Sequence, residues 1–272
     1  MIHIVSRNFL RLLRAGAFND YEPLEPMSAF KWDVLARMAE QQSLVHFFAQ
    51  AVNAFQYESS AQLPSVTAQH FRVFSNMAAT ANEEPAAHAA RMHNYFLNRR
   101  LKKIHYNERH AIDTSVETLA LLDLIVRNIH AALTCETFLS QSIALGTYLR
   151  TKGHQVDFVK LETWLRKLGA NRIAQLMGSI LVVALGFAQD ELPFVHRVDR
   201  VAHKLLRRTL DADNSTPVSH TQRPVQRIFM HHGPANFRRI LHHSLPLFKY
   251  APAEVAGCML YAVKKLLTDI EE

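Results

Sequence analysis

Two cysteines and eight glycines in a chain of 272 residues leave several architectures out. Cys135 and Cys258 stand in apolar helical contexts with neither redox nor metal-ligand spacing. They read as core thiols rather than a disulfide framework, which suits a reducing compartment, so a cytoplasmic location is expected. So little glycine argues against strands joined by tight turns. Long apolar runs are missing too. The most hydrophobic, Ile180 to Phe187, is far short of the ~20 residues that a membrane span needs. The opening MIHIVSRNFLRLLRAG lacks the apolar core and small-residue cleavage site of a secretory signal and reads as a mature N-terminus.

The common signatures of chemistry are also absent. There is no Gly-x-Ser-x-Gly elbow and no glycine-rich phosphate loop. Sixteen histidines invite a metal, but ligands on one helix face need spacings of three or four. His88 and His93, like His105 and His110, are five apart. The doublets His231-His232 and His242-His243 meet only if the Gly233-Pro234 break folds one onto the other. No metal or cofactor is expected. Asp211-Ala212-Asp213 is the one Asp-x-Asp pair, and it reads as solvated charge at the polar end of a helix.

What is present is helical periodicity. With 49% hydrophobic and 20% charged residues the composition is that of a globular protein, large enough to bury a core without staples. Apolar spacing predicts an all-α fold: one domain over 1–272, about ten helices around a buried central helix from about Arg172 to Gly186. In that helix Arg172, Gln175 and Ser179 form one polar stripe and apolar residues fill nearly all the rest, so it belongs inside. Ala174 and Gly178, one turn apart, suggest a close helix crossing.

Around it, Gly16 is placed to stop a first helix whose outer side carries Arg7, Arg11 and Arg14. Ser28 can cap a helix bearing Trp32. Asn82 with Glu83, Glu84 and Pro85 can open a helix running to about Asn107, whose cations Arg99, Arg100, Lys102 and Lys103 then suit its C-terminal dipole. Thr114 to Glu117 has capping-box spacing, Asp157 caps the helix before the central one, and Asp123, Arg127 and His130 mark a solvent side. Residues 211–224, the longest polar run, read as a mobile loop.

The best basic feature is a helix over His196 to Leu210, with Arg197, Arg200, Lys204, Arg207 and Arg208 near one face. Such a stripe can contact an anionic partner, although no aromatic residues interleave with it to stack bases. The net charge of +7 is modest and spread along the chain.

FLRLLRAGAF, the Trp32 helix with Leu35, Ala39 and Gln41, and above all VDFVKLETWLRKLGANRIAQLMGSILVVALGF with DELPF resemble the helical portions of a bacterial nucleotidyltransferase-like family. The resemblance covers about half the chain, at the N-terminus and from about Thr114 to Phe194. It implies helices around a transferase core in which a Gly-Ser turn precedes an Asp-x-Asp pair holding Mg²⁺. Residues 61–110, in the equivalent space, read as helix with neither turn nor acid pair. The expected function is therefore non-catalytic: a helical binding or scaffold protein that engages a protein partner or small ligand. One alternative is a transferase with a non-standard Mg-nucleotide site drawing on Asp113, Glu117 or the Asp211 pair. Another is a binder of acidic polymer or nucleic acid through the basic helix.

Overall fold

The apolar spacing resolves into ten α-helices and no strand among the described residues of a computed structural model, which are 4–55, 90–111, 114–134, 138–214, 240–241 and 243–271, excluding the side chains of 211–214 and 265–271. They are α1 (Ile4–Phe18), α2 (Ala29–Gln41), α3 (Val45–Phe55), α4 (Tyr95–Arg109), α5 (Val116–Thr134), α6 (Phe138–Lys152), α7 (Phe158–Lys167), α8 (Asn171–Leu185), α9 (Val201–Asn214) and α10 (Pro252–Glu271). The expected all-α class with a buried central helix holds. No helix of the described residues is long and apolar enough to cross a membrane.

α8 is the centre, packed against α1, α5, α6, α7 and α9. Ile173, Leu176, Met177, Ile180, Leu181, Ala184 and Leu185 are all buried, and one contiguous apolar cluster draws side chains from every one of the ten helices. Of the polar stripe of α8, Arg172 is exposed, but Gln175 and Ser179 are used inside the fold. Ser179 is fully buried; its hydroxyl donates to the Gln175 carbonyl and accepts from the Asp199 amide. Gln175 in turn donates to the Arg197 carbonyl. The stripe thus fastens the segment that connects α8 to α9. At the C-terminal end Gly186 takes a left-handed turn (φ 70°), while Arg14 of α1 donates to the Ala184 carbonyl at 2.9 Å, satisfying one of the acceptors a helix end leaves open.

Several local expectations are corrected. α1 runs past Gly16 and stops at Asn19, which takes the left-handed conformation (φ 55°) that asparagine tolerates. Gly16 instead lets α3 approach: a Cβ there would lie 1.8 Å from the Phe47 carbonyl oxygen. Arg7, Arg11 and Arg14 do not face solvent alone but pair with Glu22 and Glu25, holding the loop before α2 onto α1. Gly178 admits no helix; a Cβ there would meet Val195 and Phe194 of the connecting segment. Ser28 precedes α2 with its carbonyl engaged and no side-chain cap. The capping box at Thr114 does not form, because the Thr114 hydroxyl bonds to the Ala111 carbonyl and the Ser115 amide donates to Glu108. Of the expected loop at 211–224, residues 211–214 complete α9 and the rest lie outside the described residues, as do Asn82 to Pro85.

Adding one methyl group at Gly16 should therefore destabilise the fold by about 1–3 kcal/mol through overpacking. Thermal unfolding followed by circular dichroism is expected to place Gly16→Ala several degrees below the parent protein. Gly153→Ala, whose added carbon meets nothing within 4 Å, should leave the midpoint unchanged.

Candidate functional site

The exposed face that combines aromatic rings with cations lies on α4, YFLNRRLKKIHYNER. α4 does not reach back to Asn82, since residues 90–94 are non-helical. Its start is set by Asn94, whose side-chain oxygen accepts from the Phe96 and Leu97 amides at 3.0 and 3.2 Å. This moves the basic cluster. Arg99 to Lys103 now occupy the middle of a fifteen-residue helix, and Arg109 is the only base in its last turn. The helix dipole acts within the terminal turn, so it does not explain those four cations.

α4 is pinned at both ends. At its start, the Glu254 carboxylate of α10 accepts from the His93 and Asn94 amides at 2.6 and 3.2 Å, and the Asn94 side chain donates back to the Ala253 carbonyl. Gly257 on the next turn of α10 lets the backbone of residues 93–94 come this close. At its end, buried Glu108 accepts from the Ser115 amide at 2.7 Å and from Lys160 of α7 at 2.6 Å. Burial pushes the Glu108 carboxyl upward, but Lys160 and the Ser115 amide hold it below the usual carboxylate range. Arg100 donates to the Lys167 carbonyl at the C-terminus of α7.

Leu97, Leu101, Ile104 and Glu108 face the core. Glu108 is the one acid of α4, so the outer face carries none. What it carries is Tyr95, Phe96 and Tyr106, exposed by 72%, 70% and 64%, and the exposed cations Arg99, Arg100, Lys102, Lys103 and Arg109. Tyr95, Arg99, Lys102, Tyr106 and Arg109 recur at spacings of four and three, one line along the helix, with Phe96, Arg100 and Lys103 beside it. Among the described residues Arg99, Lys102 and Lys103 have no ion-pair partner. Arg166 and Lys167 of α7, both exposed, add charge next to Arg100. Such a surface can hold anionic groups and offers flat rings between them.

The stripe expected on α9 is divided. Arg197 and Arg200 precede the helix, which begins only after Asp199; Lys204, Arg207 and Arg208 lie on it, Arg208 half-buried. Asp199 makes the break by accepting from the Val201 amide at 2.8 Å, while its other oxygen accepts from the Tyr250 hydroxyl at 2.6 Å. Of the acids considered for a metal, Glu117 is half-buried at the start of α5, and Asp113 and the side chains of Asp211 and Asp213 lie outside the described residues. Among the described residues no three His, Cys, Asp or Glu side chains are gathered to hold a metal. His243 is buried, and the other members of the two histidine doublets lie outside the described residues. The face of α4 is hidden in the sequence, because a helix start at Asn82 puts its cations at an end. The signal was there in Asn94 and in the interleaving of Tyr95, Arg99, Lys102 and Tyr106.

The start of α4 holds a second cluster. The side chains of His93 and Glu254 are 5% and 3% exposed and lie 3.1 Å apart. On the expected solvent side of α5, His130 is exposed and Asp123 and Arg127 are half-buried; the His93 ring stacks on His130 at 4.4 Å between centroids, and His105 meets Asp123 at 2.9 Å. Cys258, a buried free thiol as expected, lies on the same side of α10 as Glu254. Cys135 lies outside the described residues. Burial alone would lower the His93 pKa; Cys258 and Glu254 outweigh it and push it up to about 9. Burial, then the charge of His93, pushes His130 down to about 4. No family model, curated protein or solved structure matches the chain.

A folded-state pKa above the ordinary 6.5 means that His93 stabilises the fold fully below about pH 6.5 and loses that contribution as the pH rises toward 9. His130 has the opposite sign: its contribution is present above about pH 6.5 and is lost as the pH falls toward 4. Imidazole NMR titration should find His93 protonated and His130 neutral at pH 7. His93→Gln should flatten the fall of thermal stability between pH 6.5 and 9.

Proposed function

We propose that this chain acts by binding, and that its partner is a polyanion held on the outer face of α4. The observation that carries the reading is the sorting of charge on that helix. Five cations face outward and the single acid is turned into the core against Lys160. Like charges three and four residues apart on a helix cost a few tenths of a kcal/mol per pair. A partner that neutralises them removes that cost. Anchors at both ends, from Glu254 and Glu108, keep the face in one orientation, which lowers the ordering needed on binding. The resemblance to the helical portions of the transferase-like family fits a cytoplasmic binding scaffold of this kind, since it concerns the framework and not a metal-binding core. The α9 stripe supports the reading less well, because its five cations are split between a helix and the segment before it.

Binding to heparin or to mixed-sequence nucleic acid should weaken as salt rises, with a log–log slope set by the cations engaged. Arg99→Glu and Lys103→Glu are each expected to weaken binding about tenfold and to reduce that slope by about one. Their thermal midpoints should be equal to or slightly above the parent's, because each relieves repulsion. Arg200→Glu and Lys204→Glu should leave binding unchanged. Loss of binding in the α9 pair with none in the α4 pair would overturn the assignment.

A further inference from the structure

We infer that the occupant of the α4 face is a single strand of nucleic acid, with bases stacked on Tyr95 and Tyr106 and phosphates seated on Arg99, Lys102 and Lys103. This rests on the polyanion reading above and goes beyond it in naming the chemistry that the aromatic residues recognise. A polyanion without planar groups is held by cations alone and gives three exposed rings no task. A duplex turns its bases inward, where a rigid helix face cannot stack on them. A single strand offers both parts at once, a charged backbone and unpaired flat bases, and aromatic platforms set among cations are the general way proteins hold one.

The placement fits that chemistry. Tyr95 and Tyr106 lie on one line of α4, eleven residues apart, which at 1.5 Å per residue is about 16 Å, the length of a short run of nucleotides. Arg99 and Lys102 fall between them on the same line, so ring, cation, cation and ring alternate along one path. Phe96, Arg100 and Lys103 repeat ring and cations in the adjacent row, and Arg166 and Lys167 extend the charge at one side. Tyr106 is backed by the His110 ring at 4.3 Å and Tyr95 by the Phe96 ring at 5.6 Å, contacts that restrict the rings while leaving them exposed. All these side chains are on the surface, so replacing them leaves the core untouched.

The test is fluorescence anisotropy of the full chain with dye-labelled oligouridine and oligothymidine twelve-mers, the matching duplex, heparin and poly-glutamate, at physiological salt. Tyr95→Leu, Tyr106→Leu and the conservative Tyr→Phe changes are run beside Arg99→Glu, with circular dichroism confirming the fold of each. Single strands are expected to bind at least tenfold tighter than the duplex. Each Tyr→Leu change should weaken single strands by roughly five- to a hundredfold, the range of one base stack, while leaving heparin unchanged, and phenylalanine should restore the loss. Equal binding of all the polyanions, indifferent to both tyrosines but lost in Arg99→Glu, would overturn the single-strand inference and leave the polyanion reading standing. Preference for poly-glutamate over every nucleic acid would overturn the inference in favour of an acidic protein partner. No binding of any polyanion would overturn both.

Discussion

A helix that is apolar on nearly every side can be stable in water only if other helices cover it, and that constraint on α8 organises this protein. Five helices pack on it directly, and two of its polar residues, Gln175 and Ser179, are used inward. Ser179 and Gln175 take up the backbone of the segment running to α9, and Arg14 reaches across from α1 to an open carbonyl at its end. These bonds decide the path of the chain where apolar packing alone would leave it loose, because a buried donor or acceptor without a partner costs about 1–3 kcal/mol.

The same rule places the outer helices. α4 is held at one end by an acid of α10 and at the other by its own buried acid against α7, so both of its ends are tied to different parts of the framework. Its inner face is short in apolar residues, and these polar anchors do much of the positioning that a wider apolar stripe does for α8. The outcome is a helix held at both ends whose outer face is set by something other than packing. Three exposed rings, and three cations that have no ion-pair partner among the described residues, are not accounted for by the packing of α4, which is the physical ground for assigning that face to a partner.

What could be read in the sequence followed from burial. The all-helical class, the central position of α8, the cap at Asp157 and the core thiol at Cys258 each follow from apolar spacing or from a local capping pattern. What could not be read depended on groups distant in the chain. Asn94 starts α4 because Glu254, 160 residues away, holds the adjoining amides, and Asp199 starts α9 because Ser179 and Tyr250 hold it from two sides. Gly16 and Gly178 both have a spatial reason, but the neighbour that needs the space, α3 in one case and Val195 in the other, is not adjacent in sequence. Misplacing the start of α4 and of α9 by a turn or more exchanged the apparent roles of the two basic helices. Periodicity alone makes the cations of α4 look like dipole partners and those of α9 like one stripe.

The central claim, that α4 carries the binding face, is tested most directly by photocrosslinking the full chain to a single strand bearing photoreactive uridines and mapping the modified peptides by mass spectrometry. The account predicts adducts at Tyr95, Phe96 or Tyr106, suppressed by an excess of unlabelled single strand. Adducts confined to residues 197–208, with none on α4, would contradict it.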